Sequence, residues 1–369
     1  MNKTKEYGGG HWISKKEIDN AYKYQTFPKN VFIDTEEIHL STCRSCLYLI
    51  AQNLKKHCKS ILIPTYTCDT VINPFLENGY NIIPYNITYE FLIDWNDVCE
   101  KIAKKKPDIF LFHSYFGFPT SYDNPQFLHH IKDLGIKIIE DYTQNILSSF
   151  NRFNCDYKVG SIRKWFAIPD GGILNGLEIA PEFLDKEDVE LVNRKLKAFS
   201  LKHEYLQGEN NDKPSFLKQL SKAELLLSER KQIYRMSDIS ELIIFNSDLD
   251  QIRNQRRLNY IQLYYRLLKH SELSIPLKIE DQKIVPYMLP VFIQGRDSFQ
   301  SFLAKKNIYA TKLWNLPPLY RNRIDPNLEK YYQQVLCFPI NEKYNENDMN
   351  YIGDVVDLYF NKTKVKNNT

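Results

Sequence analysis

Four places in the sequence combine residue types that can do chemistry together. The first is Gly160-Ser161-Ile162-Arg163-Lys164, followed after six residues by Gly171-Gly172. A lysine condenses with an aldehyde cofactor and can later serve as the base that moves a proton, if it is partly desolvated and the backbone around it packs closely. Glycine flanks permit such an approach. The second place is Ile139-Glu140-Asp141, an apolar run that ends in two carboxylates, with Gln144 three residues on. In open α/β sheets ligands bind at the carboxyl ends of strands. A carboxylate there can hold a protonated pyridine nitrogen, and Gln144 can donate to a phenolic oxygen beside it.

The third place is Ser41-Thr42-Cys43-Arg44-Ser45-Cys46, which reads as a helix start. Free N–H groups and the helix dipole make such an end an anion site, with the Ser45 hydroxyl as a further donor. Ordinary capping explains the same residues. The fourth is Tyr234-Arg235-Met236-Ser237, where Arg235 could meet a carboxylate or phosphate through a bidentate fork or sit in a structural ion pair.

The elements that must position these residues alternate. Short apolar runs at Ser60–Pro64, Asp108–Phe112 and Ile136–Ile139 read as strands buried on both faces. Helical patterns lie between them at Trp95–Lys104 and Gln126–Leu134, and a capped helix follows Ser41-Thr42. Strand–helix alternation predicts a mostly parallel sheet covered on both sides. Residues 183–270 are helical in pattern with a break at Gly208–Asp212. Beyond them Val285–Phe292 reads as a strand, Ser298–Lys306 as a helix and Pro317-Pro318 as a loop. Residues 1–30, with Gly8-Gly9-Gly10 and Pro28, read as an arm with little regular structure. The expected organisation is an arm over 1–30, a large α/β unit over 31–245 and a smaller α+β unit over 246–369.

Composition narrows the function classes. The 369 residues are 43% hydrophobic and 25% charged, and 49 basic residues nearly balance 45 acidic ones. That gives no case for nucleic acid, and Lys104-Lys105-Lys106 reads as a solvated helix end. No apolar run approaches the roughly 20 residues that span a bilayer. The polar first ten residues carry no signal-peptide core, so a cytoplasmic protein is expected. Seven scattered cysteines suit a reducing compartment. The lone pair Cys43/Cys46 lacks a second pair at a zinc spacing, so no metal is expected. His11-Trp12 in the arm could reach a substrate mouth or simply pack.

In order and spacing these motifs resemble the sugar-nucleotide aminotransferases of the DegT/StrS type, within the fold-type I pyridoxal-phosphate (PLP) enzymes. The resemblance covers roughly residues 30–360. Ile63-Pro64-Thr65-Tyr66-Thr67 is similar to the family's loop beside the cofactor ring, and Glu140-Asp141-Tyr142-Thr143-Gln144 to its strand-end Glu-Asp-x-x-Gln. Lys164 with Gly171-Gly172, Tyr234–Ser237, and Cys337-Phe338-Pro339-Ile340 with Asn347-Asp348-Met349 follow in its order.

The resemblance implies a Schiff base on Lys164, Asp141 at the pyridine nitrogen and Gln144 at the ring oxygen. It also implies a homodimer joined at the helix after Arg235, an amino-acid donor such as glutamate, and a keto sugar on a nucleotide as acceptor, used in glycan or polysaccharide synthesis. The chain departs from the pattern around the phosphate. Arg44 or Ser45 stands in the first phosphate loop, Val159 replaces a serine, with Ser161 as the substitute, and Ile233 replaces an asparagine. Tyr66 or Cys68 is left to cover the ring. A non-catalytic ligand-binding protein of this fold, or a PLP enzyme of another reaction type, stays open beside transamination.

Overall fold

A computed structural model describes residues 5–23, 37–178, 186–230, 232–321 and 326–367, with side chains left out at 326–328 and 362–367. The chain begins with β1 (Tyr7–Gly8) and α1 (Lys15–Ala21). The arm is therefore more regular than its glycines suggest. Ser14 accepts from the Glu17 N–H while Glu17 accepts from the Ser14 N–H, a reciprocal cap that starts α1. Pro28 and the rest of 24–36 lie outside the described residues.

Next come β2 (Ile38–Leu40), α2 (Cys43–Leu54), β3 (Ser60–Pro64), α3 (Asp69–Glu77), β4 (Asn81–Tyr85), α4 (Trp95–Lys105), β5 (Ile109–His113), α5 (Pro125–Asp133), β6 (Lys137–Asp141), β7 (Tyr157–Gly160) and β8 (Gly172–Asn175). Helix starts follow local rules. Thr42 caps α2 through the Ser45 N–H and Asp94 caps α4 through the Asp97 N–H, while Pro125 occupies the first turn of α5.

The strands form one seven-stranded sheet in the order β2-β8-β7-β6-β5-β3-β4. Strands β3 to β7 pair in parallel and β8 runs against both its neighbours. All five residues of β5 are buried, as a strand covered on both faces requires. Truncating one of them, such as Leu111, should cost about 2–5 kcal/mol.

The chain runs outward from β3 to β4, then returns across β3 to lay down β5. The strand order thus reverses between β3 and β5. Crevices open at the carboxyl ends of strands at such a reversal. Here those ends carry Pro64–Cys68, His113 and Asp141.

The helical stretch holds α6 (Val189–Gln207), α7 (Lys213–Glu229), α8 (Asp238–Phe245) and α9 (Leu249–Leu267), with Gly208 in the left-handed region ending α6. Then follow β9 (Leu289–Phe292), α10 (Arg296–Ala304), β10 (Ile308–Tyr309), α11 (Pro326–Gln334), β11 (Val335–Phe338) and α12 (Glu346–Asn367). Strands β9 and β11 pair antiparallel, and β1 pairs with β10.

The run Val285–Phe292 is strand only from Leu289. Before that, Val285 N–H donates to Ser148 Oγ and Tyr287 N–H to the Phe116 carbonyl, and Pro286 has no N–H for a ladder. Pro317-Pro318 lead into a short 3-10 turn, Pro318–Tyr320. Among the described residues no helix is long and apolar enough to cross a membrane.

Candidate active site

Parallel pairing of β5 with β6 sets His113 and Asp141 as register partners at the two strand ends. Their side chains meet, His113 Nδ1 lying 3.4 Å from Asp141 Oδ2. On its other nitrogen His113 faces Thr67 Oγ1 at 2.8 Å, from the loop after β3. The Thr143 N–H donates to Asp141 Oδ1 at 3.0 Å. All four residues are buried. Burial alone would push the Asp141 carboxyl up, but the hydrogen bond and charge of His113, the Thr143 bond and the Lys164 charge outweigh it and hold Asp141 below the usual carboxylate range. An ionised carboxylate is thus fixed in a dry place.

Lys164 ends a 3-10 turn, Ile162–Lys164, directly after β7. Several bonds hold this turn beside the Asp141 loop. The Ser161 N–H donates to Thr143 Oγ1 at 3.0 Å, the buried Trp165 indole donates to the Thr143 carbonyl at 2.6 Å, and the His11 ring contacts the Lys164 carbonyl at 3.2 Å. The Gly171-Gly172 pair has a packing reason. A Cβ on Gly172 would lie 2.3 Å from the Thr42 carbonyl carbon, and Gly171 sits at φ +141° with Ile162 2.5 Å from a would-be Cβ. Only glycine lets β8 press against the first turn of α2.

Lys164, Asp141, Gln144, Arg44, Cys68 and Ser161 line one cleft, joined by His113, Cys43 and Trp314. Gln144 Oε1 accepts from the Phe116 N–H at 2.7 Å, so its amide N–H groups remain to donate. Arg44 reaches the Leu227 carbonyl at 2.8 Å. The first N–H groups of a helix have no acceptor within it. Thr42 takes that of Ser45, and Cys43 and Arg44, in the same turn, line the cleft.

Two expected residues do not reach the cleft. Ser45 turns back to Thr42 Oγ1 at 2.9 Å. Tyr66 is buried among Tyr115, Tyr331, Tyr332 and Phe91, and its ring abuts Trp314 edge-on at 4.8 Å. It supports a cleft wall rather than forming one. Arg235 is held in an ion pair with Glu187 at 2.7 Å and another with Asp238 at 2.6 Å. The lysines at the end of α4 are exposed, and the seven cysteines are free thiols. Among the described residues no cluster suits a metal ion.

Sequence reasoning missed His113 because the apolar run was read as ending at Phe112. The strand-end rule that singled out Asp141 would have found it one residue further on.

Lys164 also borders a second chamber of about 380 Å³, roofed by Gly8–His11. Burial lowers the His11 imidazole to about 4. Lys202 Nζ donates to the carbonyls of Gly8, Gly9 and Gly10 at 3.3, 2.8 and 2.9 Å. All three glycines have positive φ, so their carbonyls converge on one ammonium. Trp12 lies between Lys202 and Lys343, 5.1 Å from each ammonium.

This reversed-order sheet, with its carboxylate and lysine at the strand ends, can be set against solved structures. The sugar aminotransferase CalS13 from Micromonospora echinospora aligns with a TM-score of 0.66, covering 95% of this chain and 99% of its own at 12% identity. The chain has the sugar-aminotransferase fold. Two further structures share it. PseC of Helicobacter pylori, an aminotransferase involved in the biosynthesis of pseudoaminic acid, aligns at 0.67, covering 97% of this chain and all of its own at 14% identity. A DegT DnrJ EryC1 StrS aminotransferase from Brucella abortus aligns at 0.62, covering 94% and 91% at 15% identity. No protein-family model and no curated protein matches the sequence. The likeness to this fold is therefore carried by geometry.

The donor set of the cleft suits PLP: a fixed carboxylate, an amine, an amide N–H, and helix-end N–H groups with an arginine. The cleft offers about 70 Å³ and is walled in part by segments without helix or strand, those of Cys68, Thr143, Gln144 and Trp314.

Proposed function

We propose that the protein is a PLP-dependent aminotransferase. It would move an amino group from an amino acid, with glutamate as donor, to a keto sugar carried on a nucleotide, for glycan or polysaccharide assembly. The observation that carries this reading is Lys164 on one cleft with the ionised, fixed Asp141. When bound, PLP supplies an aldehyde that takes up the amino group and a ring that spreads the negative charge left on a carbon giving up its proton.

The chain's own residues then have separate tasks. Asp141, oriented by His113 and the Thr143 N–H, keeps a proton on the ring nitrogen. Gln144 offers its amide N–H to the ring oxygen, because Phe116 already holds its Oε1. The Lys164 amine takes the carbon's proton and returns it to another position. Trp165 and His11 hold the turn that aims this amine. The chamber behind Lys164 gives room for the substrate.

We assign a large unit to 31–245 and a small one to 246–369, divided between α8 and α9, and a homodimer joined at α8, in the cytoplasm. Light scattering tests the dimer. Purified protein given PLP should show a visible absorption band that Lys164→Ala loses and that glutamate discharges. A wild-type protein that stays colourless overturns the reading.

A further inference from the structure

The cleft has more positive charge at one end than its own residues balance. Arg163, one residue before Lys164, lines both the cleft and the chamber. Its Nε is buried and has no hydrogen-bond partner among the described residues, and the nearest carboxylate oxygen among them, on Glu224, is 4.0 Å from NH1. That is too long for a hydrogen bond. Glu224 is instead in close contact with Lys195, whose side chain is only 5% exposed. Arg44 acts on the same carboxylate. Arg163 and Lys195 thus face one carboxylate, which lines the chamber, while Asp141 in the cleft is engaged by His113 and Thr143.

The arginines are also neighbours in space. Arg163 meets α7 at Glu224 and Arg44 meets it at Leu227. These residues are three apart, within one turn of α7, so both arginines approach the same turn of that helix. Cys43 and Arg44, in the first turn of α2, line the same cleft. A partly buried guanidinium with an open Nε donor and a surplus charge is stabilised by a second anion that can accept two parallel bonds. The positions where the resemblance would look for polar phosphate contacts are Val159, which is buried in the core, and Ile233, packed against the same core.

We propose that Arg163 and Arg44 clamp the phosphate of the cofactor from within the same chain, with Glu224 as their counter-ion when no phosphate is bound. This rests on the reading of the site as a PLP site. The clamp acts on the phosphate alone and leaves the carbonyl chemistry of Lys164 untouched.

The test compares PLP with pyridoxal, which lacks the phosphate, by absorbance titration of the cofactor-stripped protein. Wild type should bind PLP far more tightly than pyridoxal. Arg163→Gln should weaken PLP by about 10- to 100-fold, the range of a charge-assisted bond, and leave pyridoxal affinity unchanged. Unchanged pyridoxal binding also shows that the variant is folded with Lys164 in place. Arg163→Lys, which keeps the charge without the fork, should fall between them. Glu224→Gln should bind inorganic phosphate more tightly than wild type by calorimetry.

An Arg163→Gln protein that holds PLP as wild type does overturns the clamp, as does one that loses pyridoxal and PLP alike. If wild type binds PLP and pyridoxal equally, no phosphate clamp exists, although the lysine chemistry stands. If wild type binds neither, the functional reading fails and the clamp with it.

Discussion

The two ends of the cleft are built on different principles. At the Asp141 end, Thr67, His113 and Asp141 sit on or beside adjacent strand ends, each bonded to the next and buried. At the other end, Arg44 and Arg163 lean on α7 through a backbone carbonyl and a distant carboxylate that is 56% exposed. The first region is preorganised: its charge, orientation and hydrogen bonds are settled within the chain. The second is left short of negative charge. Chemistry needs groups fixed before the substrate arrives, whereas an anchor can be completed by the molecule it holds.

Substitutions can break or sharpen this contrast. Asp141→Asn should lower kcat about 100- to 1,000-fold, as loss of a preorganised electrostatic contact does, while PLP affinity changes little. A variant that keeps the wild-type kcat at saturating PLP but binds PLP far more weakly would reverse the assignment of the two ends.

Asp170 tests the footing of the second end. It precedes Gly171 and accepts from Ser237 and Ser240 at the start of α8. Burial raises its carboxyl from 3.8 to about 6. A raised carboxyl favours folding at pH values below the unfolded value, and that contribution is lost as pH climbs through the folded one. Between pH 4 and 7, wild type should lose up to about 3 kcal/mol relative to Asp170→Asn in urea titrations. Parallel pH curves for the two proteins would rule this out.

Gly172→Ala places a carbon within 2.3 Å of Thr42. It should cost about 1–3 kcal/mol, the range of overpacking, read as a lower Tm. It should weaken PLP more than pyridoxal, because the first turn of α2 is displaced. The smallest effects belong to residues that the cleft does not touch. Tyr66→Phe and Ser45→Ala should each leave PLP affinity within about threefold of wild type, well under the 1.4 kcal/mol of a tenfold change. A large loss in either would return that residue to the site.

Legibility in the sequence follows the same divide. Strand β3 lies at Ser60–Pro64 as expected, and β5 and β6 lie within a residue or two, since runs buried on both faces leave an unmistakable apolar signature. Asp141 was readable because a strand end has a known use. Arg163 was not, because its significance comes from charges on α6 and α7, which only folding brings beside it. Tyr66 was misjudged for a related reason: its motif gives its position along the chain, but burial by Tyr331 and Tyr332, more than 260 residues away, turns its ring from the cleft. In the arm, three glycines in a row suggested slack. They are held by Lys202, over 190 residues away.

That last contact has an evolutionary consequence. Lys202 grips carbonyl oxygens, which every residue possesses, so the latch over the chamber recognises a backbone shape and no particular side chain. Asparagine or aspartate, which tolerate the left-handed region better than most residues, could replace Gly10, where a Cβ would meet none of the described residues within 4 Å. Gly8 has no such freedom, because a Cβ there would lie 2.5 Å from the Tyr309 carbonyl oxygen. Relatives of this chain could therefore keep the same roof with a drifting arm, provided that a lysine faces it from α6.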